Sequence, residues 1–126
     1  MDETRINKAF KALGEPTRFK IVKLLSQQSM CVCELSEVLD MHQPRISQHL
    51  RILKEADLVM ENRQGFWTYY ELNREEIRTI LNGFSKFLDV NIAALNGYEE
   101  IHNRLMNLSS SPEKPKGNKV GKASKS

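Results

Sequence analysis

The sequence predicts a mostly helical α+β fold, in which short amphipathic helices lead into a β-hairpin and a long helix follows. Three observations predict it. Apolar residues recur at three- and four-residue spacing from Ile6 to Leu53, the period falls to about two between Leu58 and Leu72, and helical spacing returns from Ile77. A chain of 126 residues is the size of one ordinary domain and can bury a core without disulfides or structural metal. Its composition, 40% hydrophobic, 28% charged and 7% aromatic, excludes fibrous and wholly disordered classes. The longest apolar runs, such as Leu58-Val59-Met60, fall far short of the roughly twenty residues a spanning helix needs, so no membrane partner is expected. Met1-Asp2-Glu3-Thr4-Arg5 carries no apolar targeting segment, and the expected location is the cytoplasm. Thiols stay reduced there, so Cys31 and Cys33 read as free thiols or ligands rather than as a disulfide framework.

Taken in order, Ile6, Ala9, Phe10 and Leu13 mark one face of a helix that ends at Gly14. Pro16 suits the first position of a second helix, whose buried stripe is read as Phe19, Ile21, Val22, Leu24 and Leu25 before Ser26-Gln27-Gln28-Ser29 breaks it. Leu35, Val38 and Leu39 describe a helix of about two turns with Cys31 and Cys33 flanking its start, and after Asp40-Met41-His42 another begins near Gln43. Two strands are expected next, joined by Gln64-Gly65, with the aromatic run Phe66 to Tyr70 in the second. Asn73 reads as an N-cap with Glu76 three residues on, opening a long helix through Ile77, Ile80, Leu81, Phe84, Phe87, Leu88 and Ile92 to about Leu95. After Asn96-Gly97 a last helix carries Ile101, Leu105 and Leu108.

The net charge of +3 is unevenly placed: five lysines against Glu113 give residues 109–126 a net +4, leaving about −1 for residues 1–108. The expected organisation is therefore a folded domain over 1–108 and a disordered lysine-rich tail over 109–126, rich in serine, proline and glycine. Such a tail suits weak, salt-sensitive attraction to nucleic acid. It equally suits a solubilising end.

Short helix, turn, helix and then hairpin is the layout of a winged helix-turn-helix. At about 100° per residue, Ile46, Leu50 and Leu53 fall on one side of the helix that starts at Gln43, while Pro44, Arg45, Gln48 and Arg51 fall near the opposite side. Arg and Gln side chains can make bidentate contacts to guanine and adenine edges, and a helix N-terminus favours phosphate; Gln43 and Ser47 join this face. Taken alone, the pattern also describes an ordinary amphipathic surface helix. The hairpin that follows turns it toward DNA, with Arg63 and Gln64 at the tip in reach of a phosphate or minor groove. His49 lies beside the buried stripe and reads as a packing residue, and His42 sits in the preceding turn. Cys31-Val32-Cys33 places two thiols at a helix start, where they can converge on one soft ion and where the helix dipole is expected to lower their pKa. Two small buried apolar side chains are the other reading of that spacing.

Across residues 5–108 these motifs resemble the ArsR/SmtB metal-sensing repressors, and in particular the arsenic-responsive ArsR branch: Glu15-Pro16-Thr17-Arg18, Cys31-Val32-Cys33-Glu34-Leu35, Gln43 to Leu50, and Gln64-Gly65-Phe66-Trp67 with Tyr70. The resemblance implies a homodimer built on the first and fifth helices, bound to an imperfect palindromic operator in double-stranded DNA. It implies release of that DNA when As(III) or Sb(III) binds Cys31 and Cys33, with no catalytic cofactor and no enzymatic activity. The branch's third cysteine is replaced by Ser36, so two thiolates are left that also suit another soft ion such as mercury or cadmium, or thiol oxidation. Cadmium- and lead-sensing relatives add cysteines from an N-terminal extension, and residues 1–30 contain none. Of the zinc site that other relatives carry on the late helices, Asp89 and His102 match while Asn91 and Leu105 do not. A small dithiol redox enzyme is the reading from a different class, disfavoured because no redox-fold pattern or general acid surrounds the cysteines.

Overall fold

The computed structural model describes residues 2–108; the segment expected to form a disordered lysine-rich tail lies outside the described residues. Helix α1 (Glu3–Leu13) starts where the Asp2 carboxylate accepts a hydrogen bond from the Arg5 amide at 2.9 Å. Helix α2 (Pro16–Leu25) starts with proline in its first turn, as expected, and is capped by Glu15, whose carboxylate accepts from the Arg18 amide at 3.0 Å. A two-residue strand β1 (Met30–Cys31) then runs directly into α3 (Val32–Leu39), which is followed by α4 (Gln43–Glu55), β2 (Val59–Gln64), β3 (Trp67–Leu72), α5 (Arg74–Asp89), one 3-10 turn (Ile92–Ala94) and α6 (Glu99–Leu108). The described residues divide into two units, one ending at Leu88 and the other beginning at Asp89. None of the described helices is long and apolar enough to cross a membrane.

Helices α3 and α4 each end on an aspartate in the left-handed region, Asp40 at φ 55° and Asp57 at φ 62°. The amide of Met41 returns to the Ser36 carbonyl at 3.1 Å and that of Leu58 to the Leu53 carbonyl at 3.0 Å. The same six-to-one closure thus turns the chain after both helices, with aspartate where glycine is usual. The first turn sets α4 against α3, and the second delivers the chain into β2.

The sheet is antiparallel with strand order β1-β3-β2. Val59 pairs with Leu72, Glu61 with Tyr70, Arg63 with Thr68 and Gln64 with Trp67, while Met30 and Cys31 pair with Tyr70 and Tyr69. The tight turn is Gly65-Phe66, one position later than the sequence suggests, because Gln64 still belongs to the ladder. Gly65 sits at φ +63° with open space around a would-be Cβ. Gly65→Ala is therefore expected to destabilise through backbone strain alone, by about 1–2 kcal/mol, read as a lower urea midpoint. An unchanged midpoint would show that the turn relaxes freely.

Ile21, Leu35, Ile46, Leu50, Leu53, Leu58 and Val59 form the fully buried centre of the first unit. Phe10 of α1 meets Phe84 of α5 edge to face at 5.0 Å, and the Arg5 guanidinium bonds the Glu76 carboxylate. Asn73 does cap α5, accepting from the Glu76 amide at 3.3 Å, but the Glu76 side chain turns to Arg5 instead of completing a capping box.

Three expectations need correction. Phe19, read as part of a buried stripe, is 66% exposed. The helix expected to run to Leu95 ends at Asp89, where Asn91 accepts from the Ala93 amide at 2.9 Å and caps a separate 3-10 turn. The hairpin is joined by β1, a third strand too short to carry a period-two signal. In the second unit, Gly97 at φ +86° precedes α6, whose Ile101, Leu105, Met106 and Leu108 are exposed.

Candidate nucleic-acid interface and thiol site

Helix α4 divides as its wheel predicts. Ile46, Leu50 and Leu53 are at most 1% exposed, whereas Gln43, Pro44, Arg45, Ser47, Gln48 and Arg51 all face solvent. His42 is the N-cap residue, and its side chain makes no capping bond. In that first turn Pro44 has no N–H to donate and the Arg45 and Ile46 amides both donate to the His42 carbonyl, at 3.1 and 3.2 Å, so what the face offers is its side chains: two guanidinium groups and two carboxamides. The hairpin is tied to the far end of this helix by Lys54 Nζ, 3.1 Å from Glu61 Oε1. Glu61 also accepts from the Tyr70 hydroxyl at 3.1 Å. The Lys54 hydrogen bond holds the Glu61 carboxyl below its usual range, while burial pushes the Tyr70 phenol up. Arg63 and Gln64 are exposed in the last two positions of β2, and Phe66 stands fully exposed at the tip.

The two cysteines meet. Cys31 is at once the end of β1 and the N-cap of α3, and its Sγ lies 3.0 Å from Cys33 Sγ inside the first turn. The Glu34 carboxylate accepts from the Cys31 amide at 3.1 Å and fixes the junction. Contrary to the lowered pKa expected at a helix start, the Cys33 thiol is pushed up, first by its hydrogen bond to Cys31 and then by burial. Ser36, at the place of the family's third cysteine, donates its hydroxyl to the Met41 carbonyl and so serves the α3–α4 turn. Within one chain, the described residues contain no group of three or more His, Cys, Asp or Glu side chains placed to hold a metal ion. Within the second unit, His102 Nδ1 is buried without a hydrogen-bond partner among the described residues.

Sequence reasoning overlooked a buried polar chain behind α4. Arg18 Nε donates to the Ala12 carbonyl at 2.6 Å, and its Nη1 lies 3.2 Å from His49 Nδ1. Burial, reinforced by Arg18 and Arg45 and opposed by Glu15, holds the His49 imidazole below its ordinary value. The unfolded chain then binds the proton more readily. Stability is full above the ordinary histidine value of about 6.5 and falls as pH drops below it. Urea unfolding at pH 7.5 and 5.5 is expected to give the lower midpoint at pH 5.5, and His49→Asn is expected to narrow the difference. An equal shift in that variant would remove His49 as its cause.

Residues 15–61 match the family described as bacterial regulatory proteins, arsR family. A helix-turn-helix-type transcriptional regulator of Methanocaldococcus jannaschii is 44% identical over 73 residues, covering 57% of this chain and 82% of that protein. The arsenical resistance operon repressor of Bacillus subtilis is 38% identical over 89 residues, covering 65% of this chain and 85% of that protein. The chain belongs to the ArsR family. This ArsR protein is accordingly a DNA-binding transcriptional regulator and not an enzyme, which bears out both the resemblance and the rejection of a redox enzyme. The solution structure of a homodimeric winged helix-turn-helix DNA-binding domain from Mycobacterium bovis, described as a possible ArsR-family regulator, superposes with a TM-score of 0.57 at 26% identity, covering 68% of this chain and 80% of that one. The winged helix-turn-helix predicted for this ArsR protein is thus the fold it has, with a three-stranded sheet in place of a bare hairpin.

Proposed function

We propose that this ArsR-family regulator is a cytoplasmic homodimeric repressor. It binds an imperfect palindromic operator through Gln43, Pro44, Arg45, Ser47, Gln48 and Arg51 of α4 and through Arg63 and Gln64 of the hairpin, and releases it when As(III) or Sb(III) binds Cys31 and Cys33. Residues 1–108 form the DNA-binding and dimerisation domain in this reading. The observation that carries the site is the meeting of the two sulfurs, 3.0 Å apart, at the start of α3. One soft ion can take both, and for a trivalent metalloid a hydroxide or small thiol completes the set where Ser36 offers no sulfur. The arsenical resistance repressor of Bacillus subtilis supports the choice of inducer.

Repression and release share one joint. Opening the sulfurs moves Cys31, whose amide holds the Glu34 cap of α3 and whose Cα stands opposite Tyr69 of β3. The strain passes through α3 to its turn at Asp40 and thence to α4, and through the ladder to the hairpin. A coupling of about 1–3 kcal/mol lowers operator affinity roughly 5- to 150-fold. Dimerisation has its surface on α5, where Leu81, half-buried Phe84 and Leu88 leave an apolar strip in solvent, and a dimer presents two α4 helices to two half-sites.

Titrating reduced protein into a labelled duplex from its own upstream promoter, at fixed salt and followed by anisotropy, tests this reading. Arsenite or antimonite is expected to release the DNA at concentrations where mercury, cadmium and zinc do not. Release by another ion alone would overturn the inducer, and absence of specific binding would overturn the operator. A second reading is redox sensing, favoured by sulfurs within about 1 Å of the 2.05 Å disulfide length; release by diamide, reversed by dithiothreitol, would select it.

A further inference from the structure

The polar chain behind α4 has no part in the DNA contacts proposed above, yet it meets the reading helix next to one of them. His49 follows Arg45 by one helical turn and sits where the buried stripe borders the reading face. Beside Ile46, Leu50 and Leu53, an apolar side chain would fill that place at lower desolvation cost. Instead an imidazole sits there with 11% of its side-chain surface exposed, and it touches an arginine from α2.

Proton bookkeeping fixes its state. A guanidinium only donates, so with Arg18 Nη1 at 3.2 Å, His49 Nδ1 is the acceptor, the ring is neutral and its proton sits on Nε2, which has no partner among the described residues. The Arg18 side chain is itself pinned to α1 by the Ala12 carbonyl, and its backbone N–H donates to the Glu15 carboxylate that caps α2. A second proton on the ring would set N–H against N–H between two cations. The nearest acceptor for it is Glu15 Oε1, 4.0 Å from Nδ1, so the ring must swing away from Arg18 toward the α2 cap. Arg45, on α4 itself, adds a further repelling charge. Glu15 and Arg18 from α2 and Arg45 from α4 are the charged groups that act on this ring.

We propose that His49 is a positioning residue for DNA reading: neutral, it accepts from Arg18 and holds α4 against α2, and protonated it lets go and weakens operator binding. This rests on the reading of α4 as the DNA-contacting helix. Its acidic limb follows from the ring's burial, which favours the neutral form at neutral pH.

The test is operator affinity at pH 7.5 and 5.5, at one salt concentration, for wild type, His49→Asn and His49→Leu, using the labelled upstream duplex. Asparagine Oδ1 falls near the place of Nδ1 and accepts without titrating, whereas leucine fills the space and accepts nothing. Wild type is expected to lose about tenfold more affinity than His49→Asn on acidification, the size of a one-unit difference in protonation. His49→Leu is expected to bind about fivefold or more weakly at pH 7.5 with unchanged circular dichroism, the size of a modest coupling. Equal pH dependence in wild type and His49→Asn, or wild-type affinity in His49→Leu, overturns the proposal. If wild type fails to bind the duplex at pH 7.5, the DNA reading itself fails, and NMR then decides the tie: amides of Arg45–Arg51 that move with the His49 ring titration support it, and stationary ones overturn it.

Discussion

Exchanging Cys31 and Cys33 together for serine is expected to abolish release by arsenite while leaving operator affinity within about twofold, because the 1–3 kcal/mol of coupling is carried by the bound ion. The variant should fold. Serine is a better N-cap than cysteine, the Glu34 carboxylate bonds the backbone amide rather than the sulfur, and Cys33 is only half-buried. What is lost is the soft donor pair, since a neutral hydroxyl has neither the thiolate's charge nor its affinity for a soft ion. Anisotropy of the preformed complex during arsenite addition reads the effect, with circular dichroism as the fold control. Arsenite that still releases the double variant would move the sensor away from these sulfurs.

Arg45→Ala and Gln48→Ala should each cost about 1–3 kcal/mol of operator binding, 5- to 150-fold, if each makes a bidentate base contact. The two side chains project from one exposed face of a helix whose other face is locked by residues with almost no exposure. Neither truncation opens a cavity, and unfolding midpoints should stay put. Specificity separates them from phosphate contacts: both variants should lose discrimination between operator and random duplex. Arg63→Ala should instead weaken both duplexes alike and reduce the salt slope by about one. Equal losses on both duplexes for Arg45→Ala would reassign it to the phosphate backbone.

Most of the first unit is legible in sequence because its strongest signals are local. Pro16 marks the start of α2, the three- and four-residue spacing of Ile46, Leu50 and Leu53 sets the face of α4, and the period change at Leu58 marks the hairpin. What escaped depends on distance or on an unusual choice. Apolar spacing reports amphipathicity and not what covers the apolar face, so Phe19 reads as interior although solvent meets it. The stop at Asp89 lacks glycine or proline and rests on the Asn91 side chain, a residue equally able to continue a helix. The aspartates at 40 and 57 take the left-handed geometry usually signalled by glycine. In the candidate site, the reading face and the cysteine pair were visible as spacing, but the raised Cys33 pKa follows from a contact between the two sulfurs that spacing cannot give. The Arg18–His49 tie joins residues 31 positions apart, and no pattern within either helix announces it.

The pairing of Cys31 with Tyr69 bears on how portable the thiol motif is. Read as text, Cys-Val-Cys is three letters that could be grafted onto the start of any helix. Its cap closes locally, between Cys31 and Glu34, but the strand that aims Cys31 is held by the return arm of a hairpin made much later in the chain. A fragment cut after residue 61, where the family match ends, keeps both cysteines and loses β3. The closure entropy of the intervening chain is met only once that arm has docked, so such a fragment, like a transplanted tripeptide, would carry the sulfurs without the clamp that makes their movement felt elsewhere.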